Sequence, residues 1–257
     1  MCEKNNRGFT LIELMITMAM SGIVIAAIYS AYIIQKKTYH NQDEVVEMQQ
    51  NIRAGLDTVV REIRMAGYDP SDSGTAVIVA AYPDLVSFTA DLNEDGNVSV
   101  GGDDTNEHIV YDLYTNASGG SILGRSSSSS SITLSENPVG SGHWEANNHQ
   151  PIAENIGSLE FYYTLEDGTQ TTTPATNKLD EIVSIQISVL AVAGQRDAKY
   201  TNNNVYCPAS NPADPNADPA YSDCLDTTGV GTRWAANGDN FRRRLMIMTV
   251  QCRNMGL

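Results

Sequence analysis

The chain has 257 residues, a hydrophobic content of 41% and a formal net charge of -15. That is enough apolar matter to bury a real core, while the acidic balance argues against nucleic acid, because neutralising phosphates needs clustered Lys and Arg. The acidity fits a solvated extracytoplasmic surface, and the one basic cluster, Arg242, Arg243 and Arg244, runs straight into an apolar segment.

Met1 to Gly8 is polar and carries Lys4 and Arg7, after which Phe9 to Ile34 is almost wholly apolar, with Glu13 its only charge. As a helix rising roughly 1.5 Å per residue, the stretch reaches about 39 Å, enough to cross a bilayer core of about 30 Å. An ordinary secretory signal has a shorter apolar run that ends in a small-residue cleavage site. Here the run is too long, and no A-x-A pattern closes it. A plain membrane anchor accounts for the length and the positive flank. It leaves Glu13 unexplained, since a carboxylate in hydrocarbon costs about 2.5–3.5 kcal/mol on insertion scales and usually has a partner.

These residues resemble a known family. Arg7-Gly8-Phe9-Thr10-Leu11-Ile12-Glu13-Leu14-Met15 is similar to the prepilin cleavage and methylation signature of type IV pilins and type II secretion pseudopilins. The resemblance implies a membrane aspartyl peptidase that cuts on the cytoplasmic side between Gly8 and Phe9, and N-methylation of Phe9. Residues 1–8 are then a leader that is removed, 9–34 a transmembrane and filament-core half of a helix, and 35–257 a periplasmic or extracellular pilin domain. The resemblance further implies that Glu13 pairs with the N-terminal amine of a neighbouring subunit. Inside an apolar core that pairing offsets much of the cost of the buried charge, so Glu13 acts as a register device. Where many major pilins carry a proline in the apolar half, this chain has Ser30.

No proline occurs from Phe9 to Asp69, and the helical pattern continues past the apolar stretch. Val45, Met48, Ile52, Leu56, Val59, Val60 and Ile63 recur at steps of three and four and form one apolar stripe. The stripe fits either a coiled-coil partner or the protein's own sheet, and the strands that follow favour the sheet. Gly67-Tyr68-Asp69-Pro70 supplies the stop, so the spacing predicts a helix over about 9–66, with a length of roughly 87 Å.

Strand signals follow at 76–82, 85–90, 109–114, 132–134, 159–165, 182–192 and 245–252. The Ser126 to Ser131 tract and the loops 168–177 and 200–239 separate them. The fold class expected is α+β: a long N-terminal α-helix, half membrane-spanning and half amphipathic, packed on an antiparallel β-sheet as a pilin-like roll. Glu62-Ile63-Arg64-Met65-Ala66-Gly67-Tyr68, Ile152-Ala153-Glu154-Asn155-Ile156 and Arg253-Asn254 resemble a PilW-type minor pilin, a group related to the J-type minor pseudopilins.

Asp91, Asn93, Asp95 and Asn97 place oxygen-bearing side chains at every second position around Gly96, like the first half of an EF-hand loop. The twelfth position holds Gly102 instead of Glu, so Asp103 or Asp104 would have to close a Ca²⁺ shell. A polar hairpin turn is the competing reading, since Asp-Gly is a favoured turn pair.

Cys207 and Cys224 bracket a Pro-, Asn- and Asp-rich loop that has little apolar matter to hold it. A crosslink there is worth roughly 3 kcal/mol in the chain-entropy model and fits an oxidising compartment. Cys252 would then be a buried thiol; a Cys207–Cys252 bridge is the alternative. His40, His108, His143 and His149 show no metal-ligand spacing and read as loop or surface residues. No catalytic motif and no required cofactor emerge.

The function expected is that of a minor pilin taking part in type IV pilus assembly, in an initiation or tip complex. Its partners would be other minor and major pilins, the prepilin peptidase, an inner-membrane assembly platform and, before assembly, membrane lipid. The subunit would wait as a single-pass inner-membrane protein with a periplasmic C-terminal domain and pass to the cell-surface pilus on assembly. A J-type minor pseudopilin of a type II secretion system and a tip adhesin that binds through 200–239 are the alternative readings.

Overall fold

Helix α1 (Leu11–Ile63) starts where the Thr10 hydroxyl accepts the Glu13 amide at 3.3 Å. Thr10 and Glu13 have the spacing of a capping box, which satisfies an orphan donor of the first turn. The computed structural model describes residues 9–98, 106–116, 119–127, 135–136, 144–145, 149–213, 224–225, 234–235 and 238–255. Two compact units divide the chain, Met1–Glu44 and Val45–Leu257, and α1 contributes to both.

In the first unit every described side chain from Phe9 to His40 is exposed. In the second unit the stripe goes inward. Met48, Ile52, Leu56, Val59, Val60 and Ile63 are buried and Val45 is half-buried. They pack on strands of the same chain, so the sheet, and not a coiled-coil partner, covers this face.

Helix α1 leaves through a turn at residues 64–67, as the Gly67 stop predicts. Gly67 has φ +74°, and a Cβ there would meet Met255 Sδ at 2.6 Å and the Asn254 carbonyl at 3.1 Å. Both the left-handed backbone and the close approach of the C-terminal segment therefore require glycine.

Strands β1 (Ile78–Ala81), β2 (Leu85–Thr89), β3 (His108–Thr115) and β4 (Ser121–Ser127) come first, then β5 (Ser135–Glu136) and β6 (Trp144–Glu145). There follow β7 (Gln150–Glu154), β8 (Ile156–Leu165), β9 (Gln170–Thr171), β10 (Ile182–Val192), β11 (Val205–Tyr206), β12 (Trp234–Ala235) and β13 (Arg243–Gln251). All pairing is antiparallel. One sheet has the order β1-β2-β3-β4-β7 and a second the order β13-β10-β8-β9, with two small ribbons, β11-β12 and β5-β6. Two main sheets thus replace the single sheet the sequence suggests. β4 and β7 were not anticipated, because a serine tract and short mixed segments carry little strand signal; the expected strand at 132–134 lies outside the described residues.

One apolar core joins the helix to both sheets: Leu56, Val59 and Ile63 from α1, Phe88, Tyr111 and Leu123 from the first sheet, and Phe161, Ile185 and Val250 from the second. Tyr163, fully buried on β8, donates its hydroxyl to the Tyr82 carbonyl at 2.9 Å and lies 3.2 Å from that of Leu85. That bond ties the second sheet to the β1–β2 turn.

Candidate functional site

The N-terminal stretch hides its hydroxyls inside the helix. Thr17, Ser21 and Ser30 each donate back to a carbonyl three or four residues earlier, Ser30 to Ala26 at 2.8 Å. Such back-bonding lets Ser and Thr sit in hydrocarbon without an unsatisfied donor. At Ser30 the helix therefore continues unbroken. Glu13 is the exception: it is exposed, it is the only charge between residues 9 and 34, and its carboxylate has no hydrogen-bond or ion-pair partner among the described residues. Phe9 is 86% exposed at the start of the apolar surface, and Gly8 lies outside the described residues. Helix α1 is long and apolar enough to cross a membrane.

The second candidate is the loop after β2. Asn93 Oδ1 accepts the Asp95 amide, Asp95 Oδ1 accepts the Asn97 amide, and the Asn93 amide group donates to Asp95 Oδ2 at 3.2 Å. The Asn93 and Asp95 side chains are thus engaged in shaping the turn, with Glu94 and Gly96 at positive φ. Asp91 differs: it is fully buried, and its Oδ2 accepts the Gly96 amide at 2.9 Å. Buried Glu107, which sequence reasoning missed, lies beneath the loop, its Oε1 accepting the amides of Leu92 and Asn93 at 2.9 and 3.0 Å. Only the pairing of β2 with β3 brings residue 107 here. Asp103 lies outside the described residues. Among the described residues, no three His, Cys, Asp or Glu side chains gather as a metal-holding group.

The cysteines resolve as the loop composition suggests. Cys207 and Cys224 form a disulfide, and Cys252 is a buried free thiol in the core. Burial pushes the Cys252 thiol up to about 12. The loop that the disulfide closes is also pinned to the second sheet. Glu160 of β8 accepts the Ser210 hydroxyl at 2.8 Å and its amide at 3.2 Å, and Ser188 of β10 accepts the Ala209 amide.

Two arginines of the basic cluster are spent within the chain, while Arg244 is exposed. Arg242 pairs with Asp197 at 2.9 Å and lies over the Tyr200 ring, while Arg243 forms a two-pronged pair with Asp239. His108, on β3, corrects the expectation of a loop or surface residue, and His149 is a half-buried residue of the loop before β7. His108 meets the Ser87 hydroxyl at 2.8 Å, and His149 pairs with buried Asp112 at 2.9 Å and stacks on Tyr114. Both belong to sheet packing; periodicity gave no hint, because the faces of β2 and β3 are buried on both sides. His40 is 3.8 Å from Glu44 on the helix surface, and His143 lies outside the described residues.

A further site missed in the sequence joins helix to sheet. Glu62 Oε2 accepts the Tyr111 hydroxyl at 2.6 Å and Arg125 Nε at 2.8 Å. Burial and the Glu62 carboxylate raise the Tyr111 hydroxyl above its ordinary range.

An exposed apolar helix with one unpaired carboxylate near its start, followed by a helix-backed antiparallel domain, defines a type IV pilin-like protein. Two family models match: the prokaryotic N-terminal methylation motif over residues 4–29 and the Type IV Pilus-assembly protein W over residues 115–254. The second match takes in more than half of the chain, and the chain belongs to that family. Among solved structures it is similar to a type IV-like pilin, TTHA1219 from Thermus thermophilus, with 16% identity and a TM-score of 0.45, over 81% of this chain and 98% of that one. No curated protein matches the chain.

Proposed function

We propose that the protein is a minor pilin that takes part in starting or capping a type IV pilus. The observation that carries this reading is Glu13, a carboxylate without a partner among the described residues, one helical turn inside an exposed apolar helix. A lone charge there is costly in lipid and gains a purpose when another subunit supplies a cation. Cleavage between Gly8 and Phe9 creates a positive amine, and N-methylation of Phe9 keeps it positive. In the growing filament the amine of a neighbouring subunit meets Glu13 and sets the axial register. Before that step the apolar half of α1 holds the subunit in the inner membrane, with the domain beyond residue 35 on the periplasmic side. An assembly platform then extracts it to join other minor and major pilins at the cell surface.

Two substitutions test the proposal in the native host. Gly8→Val should leave the chain at precursor size, because the peptidase needs a small residue before the cut. Glu13→Val should be processed normally and yet fail to enter sheared filaments, as seen by immunoblot. Normal incorporation of Glu13→Val would remove the basis of this reading.

A further inference from the structure

Asp91 and Glu107 are two buried carboxylates at the two ends of the β2–β3 connection, and both accept amides of one loop. Asp91 is fully buried and Glu107 is 1% exposed. Each spends one oxygen on loop amides: Asp91 Oδ2 on Gly96, Glu107 Oε1 on Leu92 and Asn93. The remaining oxygens, Asp91 Oδ1 and Glu107 Oε2, are buried and have no partner among the described residues. The backbone sets the two residues beside each other, since the Ala90 amide bonds the Glu107 carbonyl and the Glu107 side chain holds the amides that follow Asp91.

A buried carboxylate oxygen without a donor is costly. A hard divalent cation would satisfy both oxygens at once. We propose that Asp91 Oδ1 and Glu107 Oε2 bind a calcium ion beneath the 91–97 loop. Two carboxylates without a third acidic, His or Cys ligand do not suit a transition metal. Calcium suits them, because it fills the rest of its shell with neutral oxygens and water. This ligand pair differs from the alternating set that the sequence suggests, in which Asn93, Asp95, Asn97 and Asp103 accompany Asp91. Glu107 supplies from the next strand the carboxylate that the twelfth loop position lacks. The ion would clamp the start of the β2–β3 connection to the exit of α1, through Tyr68.

The test uses the full chain in detergent, stripped with chelator and melted with and without added CaCl₂. Extracellular calcium modules bind at about 10⁻⁴–10⁻³ M, so calcium at about 10 mM should raise the melting temperature by about 3–10 °C. Asp91→Asn and Glu107→Gln should each abolish that rise, whereas Asp95→Asn should keep it. If a variant does not fold, calorimetric titration of Ca²⁺ into the stripped wild-type chain decides. Equal melting temperatures with and without calcium, absent binding heat, or a rise that persists in both variants would overturn the proposal.

Discussion

Glu13 and Glu62 sit on the same helix and meet opposite fates. Glu13 faces outward from an apolar surface with no partner among the described residues. Glu62 lies between Tyr111 and Arg125, both bonded to one carboxylate oxygen. Arg125 is nearly buried, so removing its counter-charge strands a cation. Glu62→Gln is expected to destabilise the domain by about 3 kcal/mol, read as a lower urea midpoint for the full chain in detergent. At Cys252 the raised thiol stays neutral through the physiological range. Iodoacetamide should therefore label it slowly in the native chain and rapidly in urea. Burial pushes the Asp69 carboxyl up, yet hydrogen bonds from Ser73, Gly74 and Ser71 outweigh that effect and hold it at about 2. A depressed carboxyl contributes stability that is complete above its ordinary value of 3.8 and is lost as pH falls towards 2. Amide protection factors at residues 71–74, with the intrinsic pH dependence of exchange divided out, should fall in that acid window and stay constant above about pH 5.

At the scale of elements, α1 and β7 meet at a glycine. A Cβ at Gly55 would lie 2.9 Å from Ala153 Cβ and 3.4 Å from Ile152 Cγ2. Asn51 adds a side-chain bond to the Glu154 carbonyl at 2.9 Å one turn earlier. Gly55→Leu should thus cost about 1–3 kcal/mol through overpacking, despite the better helix propensity of leucine. Thermal melting of the full chain would show it. The Cys207–Cys224 loop is held by more than the disulfide, since Glu160 and Ser188 anchor residues 209 and 210 and Ala213 bridges Cys224, so the cross-link is not the sole restraint. Reduction should lower stability by at most about 3 kcal/mol, the chain-entropy value for a loop of this size. Glu160→Gln together with reduction should cost more than either change alone.

For the whole molecule, the helix was the most legible part. Its stripe from Met48 to Ile63 is buried as the period of 3.6 demands, and Gly67 stops it for reasons of backbone and space. Strands 182–192 and 243–251 were readable because long β-branched runs leave few other options. β4 was not, since Ser126 and Ser127 enter a strand only because β3 offers its edge. The split into two sheets was equally invisible: it depends on which strands pair, and pairing is a long-range choice. The same holds for the candidate cation pair. Asp91 stands in a local motif, whereas Glu107 joins it through the β2–β3 register.

By itself the sequence determined the class of protein, because the basic first residues, the Gly8–Phe9 junction, the apolar run and Glu13 are contiguous and need no fold to be read. It also determined the helical stripe and the crosslinked loop, whose signals are local. The tertiary structure decided what Glu62, Glu107, His149 and Glu160 are for. Each is an ordinary polar residue in its own segment, and only burial against a distant strand turns its charge or hydrogen-bonding capacity into a requirement for a partner.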